Sequence, residues 1–268
     1  MAKHVQGQGK STAIKQASLD AAIKTLMYPY REIQRKYGST IIIAETNSGS
    51  GYNEHVDITG SPIIFRDAAA EYGVKAARFL CDKSDVAIES LKLKMGEDRN
   101  TFYYPMDNSE FLDNLPEQVA LKAGIINPSH VRGLVYVDPN GITEGFPLNA
   151  LIRMTQIMAG FDIVINYPST TAKRCKAAFP NESGKYLSVS ELIKSFNKKR
   201  CFVREPHGAN QWTLMLLTNY DRFALSTQMR QHGFRDANSE SGKHIVAVCD
   251  NTHSQIQEHC NKTGLLFL

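Results

Sequence analysis

No apolar run in the 268-residue chain approaches the ~18 residues of a membrane span. The first residues also lack the apolar stretch of a signal peptide. A cytoplasmic protein with no membrane partner is therefore expected. Its five cysteines (Cys81, Cys175, Cys201, Cys249 and Cys260) include no C-x-x-C pair, which argues for a reducing compartment and against a structural zinc site. No metal is expected. Charge of one sign is scarce too: the net charge is +4, with a pI near 8.7. That balance permits a nucleic-acid partner without requiring one. No repeat and no linker divides the chain, and its 42% hydrophobic and 22% charged residues are an ordinary globular balance. A flexible polar tail over 1–17 and a single domain over 18–268 are expected. Gly7-Gln8-Gly9-Lys10-Ser11-Thr12 looks like the end of a phosphate-binding loop. The pattern needs a further glycine where His4 stands, and a strand before it, so a solvated basic tail is the better reading.

The chain is organised around Thr40-Ile41-Ile42-Ile43-Ala44-Glu45-Thr46-Asn47-Ser48-Gly49-Ser50-Gly51. A β-branched apolar run suits a strand buried on both faces of a parallel sheet. It ends in an acid, and after three residues come two glycines one apart. Those glycines let the backbone turn sharply and approach a bound molecule. The acid can accept hydrogen bonds from a ribose hydroxyl or a charged amino acid. The plain alternative is an ordinary strand-to-turn junction.

The rest of the chain repeats this theme. Leu19 to Tyr37 has helical spacing, with Ser18 or Asp20 as cap and a kink or break at Met27–Tyr28 ahead of Pro29. Tyr52 to Gly60 reads as irregular, with a helix at Arg66–Tyr72. A second strand, Ala76–Cys81, ends at Asp82, where nucleotide-binding sheets hold ribose hydroxyls, and Lys83 follows. Ser84 caps a helix through Lys94. A third strand, Thr101–Tyr104, runs into Met106-Asp107-Asn108, which would frame an adenine ring. A fourth, Arg132–Val137, ends in Asp138-Pro139-Asn140-Gly141. A helix over 146–158 leads to a fifth, Phe161–Asn166, ending in Asn166-Tyr167-Pro168. Each acid alone would be read as a cap or turn residue; their recurrence at successive strand ends is what points to a ligand. The alternation implies a parallel sheet with helices on both faces, and ligands at the strands' carboxyl ends. Helices are expected at Thr170–Phe179, Ser188–Asn197 and Arg222–Gly233. Cys201–Arg204 and Trp212–Thr218 read as an antiparallel pair, and His244–Cys249 as a strand or apolar extension.

The acid-and-glycine stretch resembles the E/D-x-x-x-G-x-G loop of class I S-adenosylmethionine (SAM) dependent methyltransferases. Asp138-Pro139-Asn140-Gly141 is similar to the D/N-P-P-Y/F element of amino-group methyltransferases. It is closer to the D-P-x-G of the three-Cys-motif partner proteins, as are Gly60-Ser61-Pro62, the fifth strand, and Trp212–Asn219 followed by a helix with a methionine like Met229. The likeness covers roughly residues 20–235. It implies an α/β, Rossmann-like class I methyltransferase fold: a mostly parallel sheet with a C-terminal antiparallel strand pair. It implies SAM contacts at Glu45, Asn47, Ser48, Gly49, Gly51, Asp82, Lys83, Asp107 and Asn108, and a catalytic corner at Asp138, Pro139 and Asn140. The aromatic that stacks on a flipped base is missing, because position 141 is Gly and Asn140 replaces the second proline. Tyr167, Tyr136 or Phe146 would have to stack instead.

Methyl transfer needs a nucleophile held in line and desolvated. Asp138 with the Pro139 carbonyl suits the orientation of an exocyclic amine. Attack at cytosine carbon 5 would need a nucleophilic cysteine, and no Pro-Cys dipeptide exists. A flipped base would also need backbone contacts, for which Lys173, Arg174, Lys176, Lys198, Lys199, Arg200 and Arg204 are the basic candidates. The expected activity is SAM-dependent methylation of an amino nitrogen in a DNA or RNA base. The alternatives are a SAM-fold protein that binds cofactor or a protein partner without catalysis, and a Rossmann oxidoreductase. The last is disfavoured because Gly51 is followed by Tyr52-Asn53-Glu54, without the third glycine of G-x-G-x-x-G.

Overall fold

The computed structural model describes residues 10–53, 57–96, 98–125, 127, 130–139, 146–206, 212–221 and 223–251. The chain runs α1 (Lys10–Tyr37), β1 (Ile41–Glu45), β2 (Tyr52–Asn53), β3 (Ile58–Thr59), α2 (Ser61–Glu71), β4 (Ala76–Asp82), α3 (Asp85–Met95), β5 (Thr101–Pro105), α4 (Asn108–Ala123) and β6 (Arg132–Val137). It continues through α5 (Leu148–Ile157), β7 (Phe161–Tyr167), α6 (Ser169–Ala178), α7 (Val189–Ser195), β8 (Arg200–Arg204), β9 (Thr213–Thr218), α8 (Thr227–Gln231), β10 (Phe234–Asp236) and α9 (Glu240–Asp250). Ser84 caps α3 as the sequence predicts, and Ser188 caps α7 and forms a full capping box with Glu191.

Eight strands form one sheet in the order β10-β8-β9-β7-β6-β1-β4-β5. The five strands β5, β4, β1, β6 and β7 are parallel, and β9 joins β7 antiparallel, followed by β8 and β10. This is the α/β sheet that the sequence resemblance implies, with the late strand pair on one edge and β10 added beyond it. Strand alternation divides the core. Ile42, Ala44, Val135, Val137, Ile163, Ile165 and Tyr167 face the helices α4, α5, α6, α7 and α9. Ile41, Ile43, Leu134, Tyr136 and Val164 face α1, α2 and α8. The sheet is therefore covered on both sides, as a parallel sheet requires.

Several expectations change. α1 begins at Lys10, so residues 10–17 belong to a helix and not to a flexible tail. Ser18 and Asp20 are not caps: the Ser18 hydroxyl donates to the Ile14 carbonyl at 2.7 Å, and Asp20 pairs with Lys24. The helix also continues through Pro29. Burial on either side of that residue holds it, because Leu26, Met27 and Tyr30 are buried and the Tyr30 hydroxyl shares its proton between Asp162 Oδ2, at 2.6 Å, and the Gly133 carbonyl, at 2.9 Å. Tyr52–Gly60 contains the small hairpin of β2 and β3. α8 spans only Thr227–Gln231, starting where Ser226 accepts from the Met229 amide. His244–Cys249 lies in helix α9, not a strand. Short apolar runs fit both periods, and Ser239, which accepts from the Gly242 amide, starts the helix. Asn140, Gly141, Cys260 and the Gly7–Gly9 stretch lie outside the described residues.

Gly133 sets the spacing between β6 and β1. A Cβ built there would meet the Ile42 carbonyl oxygen at 1.9 Å, a backbone atom that has no room to move. Gly133→Ala is expected to lower unfolding free energy by about 2–4 kcal/mol, read as a lower urea midpoint at an unchanged m-value. A loss within about 0.5 kcal/mol would show that the strands can separate to admit the methyl.

Candidate functional site

The strand order places the carboxyl ends of β6, β1, β4 and β5 side by side. Asp138, Glu45, Asp82 and Asp107 therefore follow one another along the sheet edge, a row of about 15 Å at the normal strand spacing. Alternation then decides who meets whom. Glu45 is the register partner of Tyr136, and both belong to the face that α1 and α2 cover. Asp138 and Asn166 share that phase, two residues on from Tyr136 and Val164.

The turn after β1 is held on both sides. The Thr46 amide donates to the Tyr136 carbonyl at 3.1 Å and the Ser48 amide to the Cys81 carbonyl at 2.8 Å. The Gly49 amide donates to Asp82 Oδ2 at 2.9 Å, and Asp82 Oδ1 accepts from the Ser84 amide at 2.9 Å. Asp82 so ties the glycine turn to the start of α3, and each of its oxygens keeps a second lone pair for a hydroxyl donor. Gly51 has φ +77°, and a Cβ there would lie 2.6 Å from Leu91 Cδ1. Its carbonyl accepts from the Gly60 amide at 2.8 Å, closing the loop onto α2.

Glu45 is fully buried. The Ser61 hydroxyl donates to its Oε1, while Oε2 is buried without a partner. Burial pushes its carboxyl well above the usual range; the Ser61 bond opposes this, Asp138 and Asp82 add to it, and Lys15 opposes it. The Ser48 Oγ is also buried without a partner, whereas the buried Tyr136 hydroxyl is within hydrogen-bonding reach of Asp138. Burial, and then the charges of Asp138 and Glu45, push the Tyr136 phenol far up. Buried polar atoms are almost always paired, so the orphaned Glu45 Oε2 and Ser48 Oγ, on β1 and its turn, suit a ligand that brings its own donors. Glu45 offers an acceptor to a cationic group and Asp82 to hydroxyls, and the stretch from Met106 to Asn108 lies at the next strand end. Asn47 is tied to the Thr46 hydroxyl at 2.7 Å.

Asp107 is exposed and caps α4, accepting from the Ser109 amide at 2.8 Å. Asn108 opens that helix, half-buried, and Lys83 is exposed at the lip of β4.

At the end of β6, the corner expected from the sequence to be catalytic, Asn166 Nδ2 donates to Asp138 Oδ1 at 2.8 Å, and Lys15 Nζ pairs with Oδ2 at 2.7 Å. Pro139 is buried beside them. Lys15 was missed in the sequence because the tail expectation covered it; the only signal was its helical phase with Leu19 and Ile23. Tyr167 does not join this group. It follows Asn166, so alternation sends it to the opposite face, where it is 1% exposed. There its hydroxyl donates to the Leu187 carbonyl and its ring meets Phe146 edge-on at 5.4 Å. It offers no ring face to a substrate. Tyr136 is fully buried as well and packs against Phe65.

The basic residues are largely occupied within the protein. Lys198 donates to the Ala159 and Phe161 carbonyls, Lys199 pairs with Asp221, and Arg200 with Asp236. Lys176 pairs with Glu191, Lys173 donates to the Val248 and Asn251 carbonyls, and Arg204 to the Glu205 carbonyl. Among the described residues there is no group of three His, Cys, Asp or Glu side chains placed to hold a metal ion, and no helix long and apolar enough to cross a membrane.

No model of a known protein family matches the chain, and no curated protein does. Solved structures do. One is protein LPL1258 of Legionella pneumophila, at 14% identity and TM-score 0.44, over 76% of this chain and 85% of that one. A second is described as a candidate SAM-dependent methyltransferase from Methanococcus maripaludis, at 11% identity and TM-score 0.36, over 83% and 98%. A third is described as a candidate methyltransferase from an antibiotic biosynthesis pathway of Anabaena variabilis, at 15% identity and TM-score 0.34, over 84% and 84%. At these values the functional reading rests on the site's own atoms.

Proposed function

We propose that the chain is a SAM-dependent methyltransferase acting on an amino nitrogen. The observation that carries this reading is the buried, unpartnered Oε2 of Glu45 beside the Gly49–Gly51 turn, in line with Asp82 and Asp107. Bound SAM would supply an electrophilic methyl group on a sulfonium, a reaction that asks little acid–base help of the protein.

The chain's own residues then have three tasks. Glu45, Asp82, Asp107 and Asn108 bind and orient the cofactor, and the glycine turn lets the backbone approach it. Asp138, fixed by Asn166, accepts an N–H from the acceptor amine and turns its lone pair toward the methyl group. The buried Pro139 and Tyr136 keep water from this corner, which favours an in-line approach.

The acceptor favoured by the sequence is the exocyclic amine of a nucleic-acid base. Two observations weigh against making it the sole candidate: Tyr136 and Tyr167 are buried, and six of the seven basic candidates are engaged within the protein. The test is incubation with methyl-labelled SAM and separate pools of DNA, RNA, protein and small amines. Label fixed on a nitrogen supports the reading, and the pool names the acceptor class. SAM binding with no transfer to any pool would favour the cofactor-binding partner reading. No SAM binding by folded protein would remove both.

A further inference from the structure

Lys15 sits in the second turn of α1, on the face of the sheet that carries Glu45, Tyr136, Asp138 and Asn166. Its Nζ lies 2.7 Å from Asp138 Oδ2 across 123 residues of sequence, with the two side chains 28% and 16% exposed. The other carboxylate oxygen takes Asn166, so both oxygens of Asp138 already have a donor. The charge of Lys15 also acts on Glu45, opposing the rise that burial causes in its carboxyl. Around it Ala13 and Ala17 are exposed, whereas Ser18, Leu19, Ala21, Ala22, Ile23, Leu26 and Met27 further along the helix are buried. The pair thus links the less packed start of α1 to the catalytic corner.

We infer that Lys15 is a positioning residue of the acceptor site: in the resting protein its ammonium holds the place on Asp138 that an acceptor's amino group takes during transfer. An ammonium has no lone pair, so the ion-paired Lys15 is a place-holder and not itself a methyl acceptor. An acceptor gains this place only by bringing hydrogen-bond donors of its own. That requirement selects donor-bearing nucleophiles such as amines over carbons, and couples acceptor entry to loosening of the first turns of α1. This inference rests on reading Asp138 as the acceptor-binding carboxylate, but its test needs neither cofactor nor natural substrate.

The test is amide hydrogen exchange on the full chain, read in peptides covering residues 12–18. Lys15→Met and Asp138→Asn are each expected to speed exchange there about fivefold, and the double variant no more than either alone. Methylammonium chloride should speed the same exchange in the unmodified protein, and tetramethylammonium chloride at equal ionic strength should not, because it carries no N–H. Neither salt should act on Lys15→Met. Unchanged exchange in Lys15→Met, or equal action of the two cations, overturns the inference. If Lys15→Met fails to fold, the comparison of the two cations on the unmodified protein decides. A positive exchange result with no SAM binding would remove the methyltransferase reading and leave the displaceable ion pair; the reverse would remove Lys15 alone.

Discussion

Asp138→Asn is expected to lower methyl transfer by about 10²–10³-fold while SAM affinity stays within about threefold. The carboxylate stands at the centre of the corner and accepts from Asn166 on one side and Lys15 on the other. An amide of the same shape keeps one acceptor oxygen and replaces the other with a donor. That donor faces either the Asn166 amide or the position an acceptor amine must take. The lost interaction orients the nucleophile, so the effect belongs in kcat, and SAM bound along Glu45, Asp82 and Asp107 should feel it little. Single-turnover transfer and calorimetric affinity, measured on one preparation, separate the two. Equal losses of rate and of SAM affinity would show that Asp138 serves the cofactor, and undiminished transfer would place the catalytic corner elsewhere.

Glu45→Gln should stabilise the protein and weaken its cofactor. Glu45 is fully buried, and burial raises its carboxyl pKa above the unfolded value. The folded protein therefore holds this proton more tightly than the unfolded chain does. Stability from this group is fully present below the unfolded pKa and is lost as pH rises toward the folded one. The variant has no such loss. Its advantage should be near zero at pH 4, grow with pH, and level off above the folded pKa, reaching about 1 kcal/mol or a Tm gain of about 2–4 °C. The same variant should bind SAM about 10–100-fold more weakly, as expected when a charged hydrogen bond is lost. Thermal unfolding across pH, with calorimetry at pH 8, tests both halves. A destabilised variant would show that Ser61 and the neighbouring groups hold the charged carboxylate comfortably; unchanged affinity would detach Glu45 from the cofactor.

Much of this was legible in sequence because the parallel strands are apolar runs ending in polar residues. The Ile41–Glu45 strand, the Arg132–Val137 strand and the cap at Ser84 follow directly from local pattern. Lys15 was not legible, since its partner lies 123 residues away and the polar run around it carries little helical signal. Tyr167 was misjudged for a different reason. Its place beside Asn166 in sequence suggested a shared site, yet the two-residue period of a strand puts neighbours on opposite faces. The helix at α9 shows the limit of short apolar runs, where Ile245 and Cys249 fit either period until the Ser239 cap is known. The places of Asp82 and Asp107 at strand ends were clear, and the cap or turn reading that each carries alone is the one their bonds to backbone amides fill.

The most direct test of the account is calorimetric titration of SAM into the purified, folded protein across pH, with NAD as the comparison. The account predicts saturable SAM binding that tightens as pH rises, because a cationic ligand at Glu45 favours the carboxylate that burial disfavours, and no NAD binding. Binding of NAD in preference, or no binding of either, would contradict it.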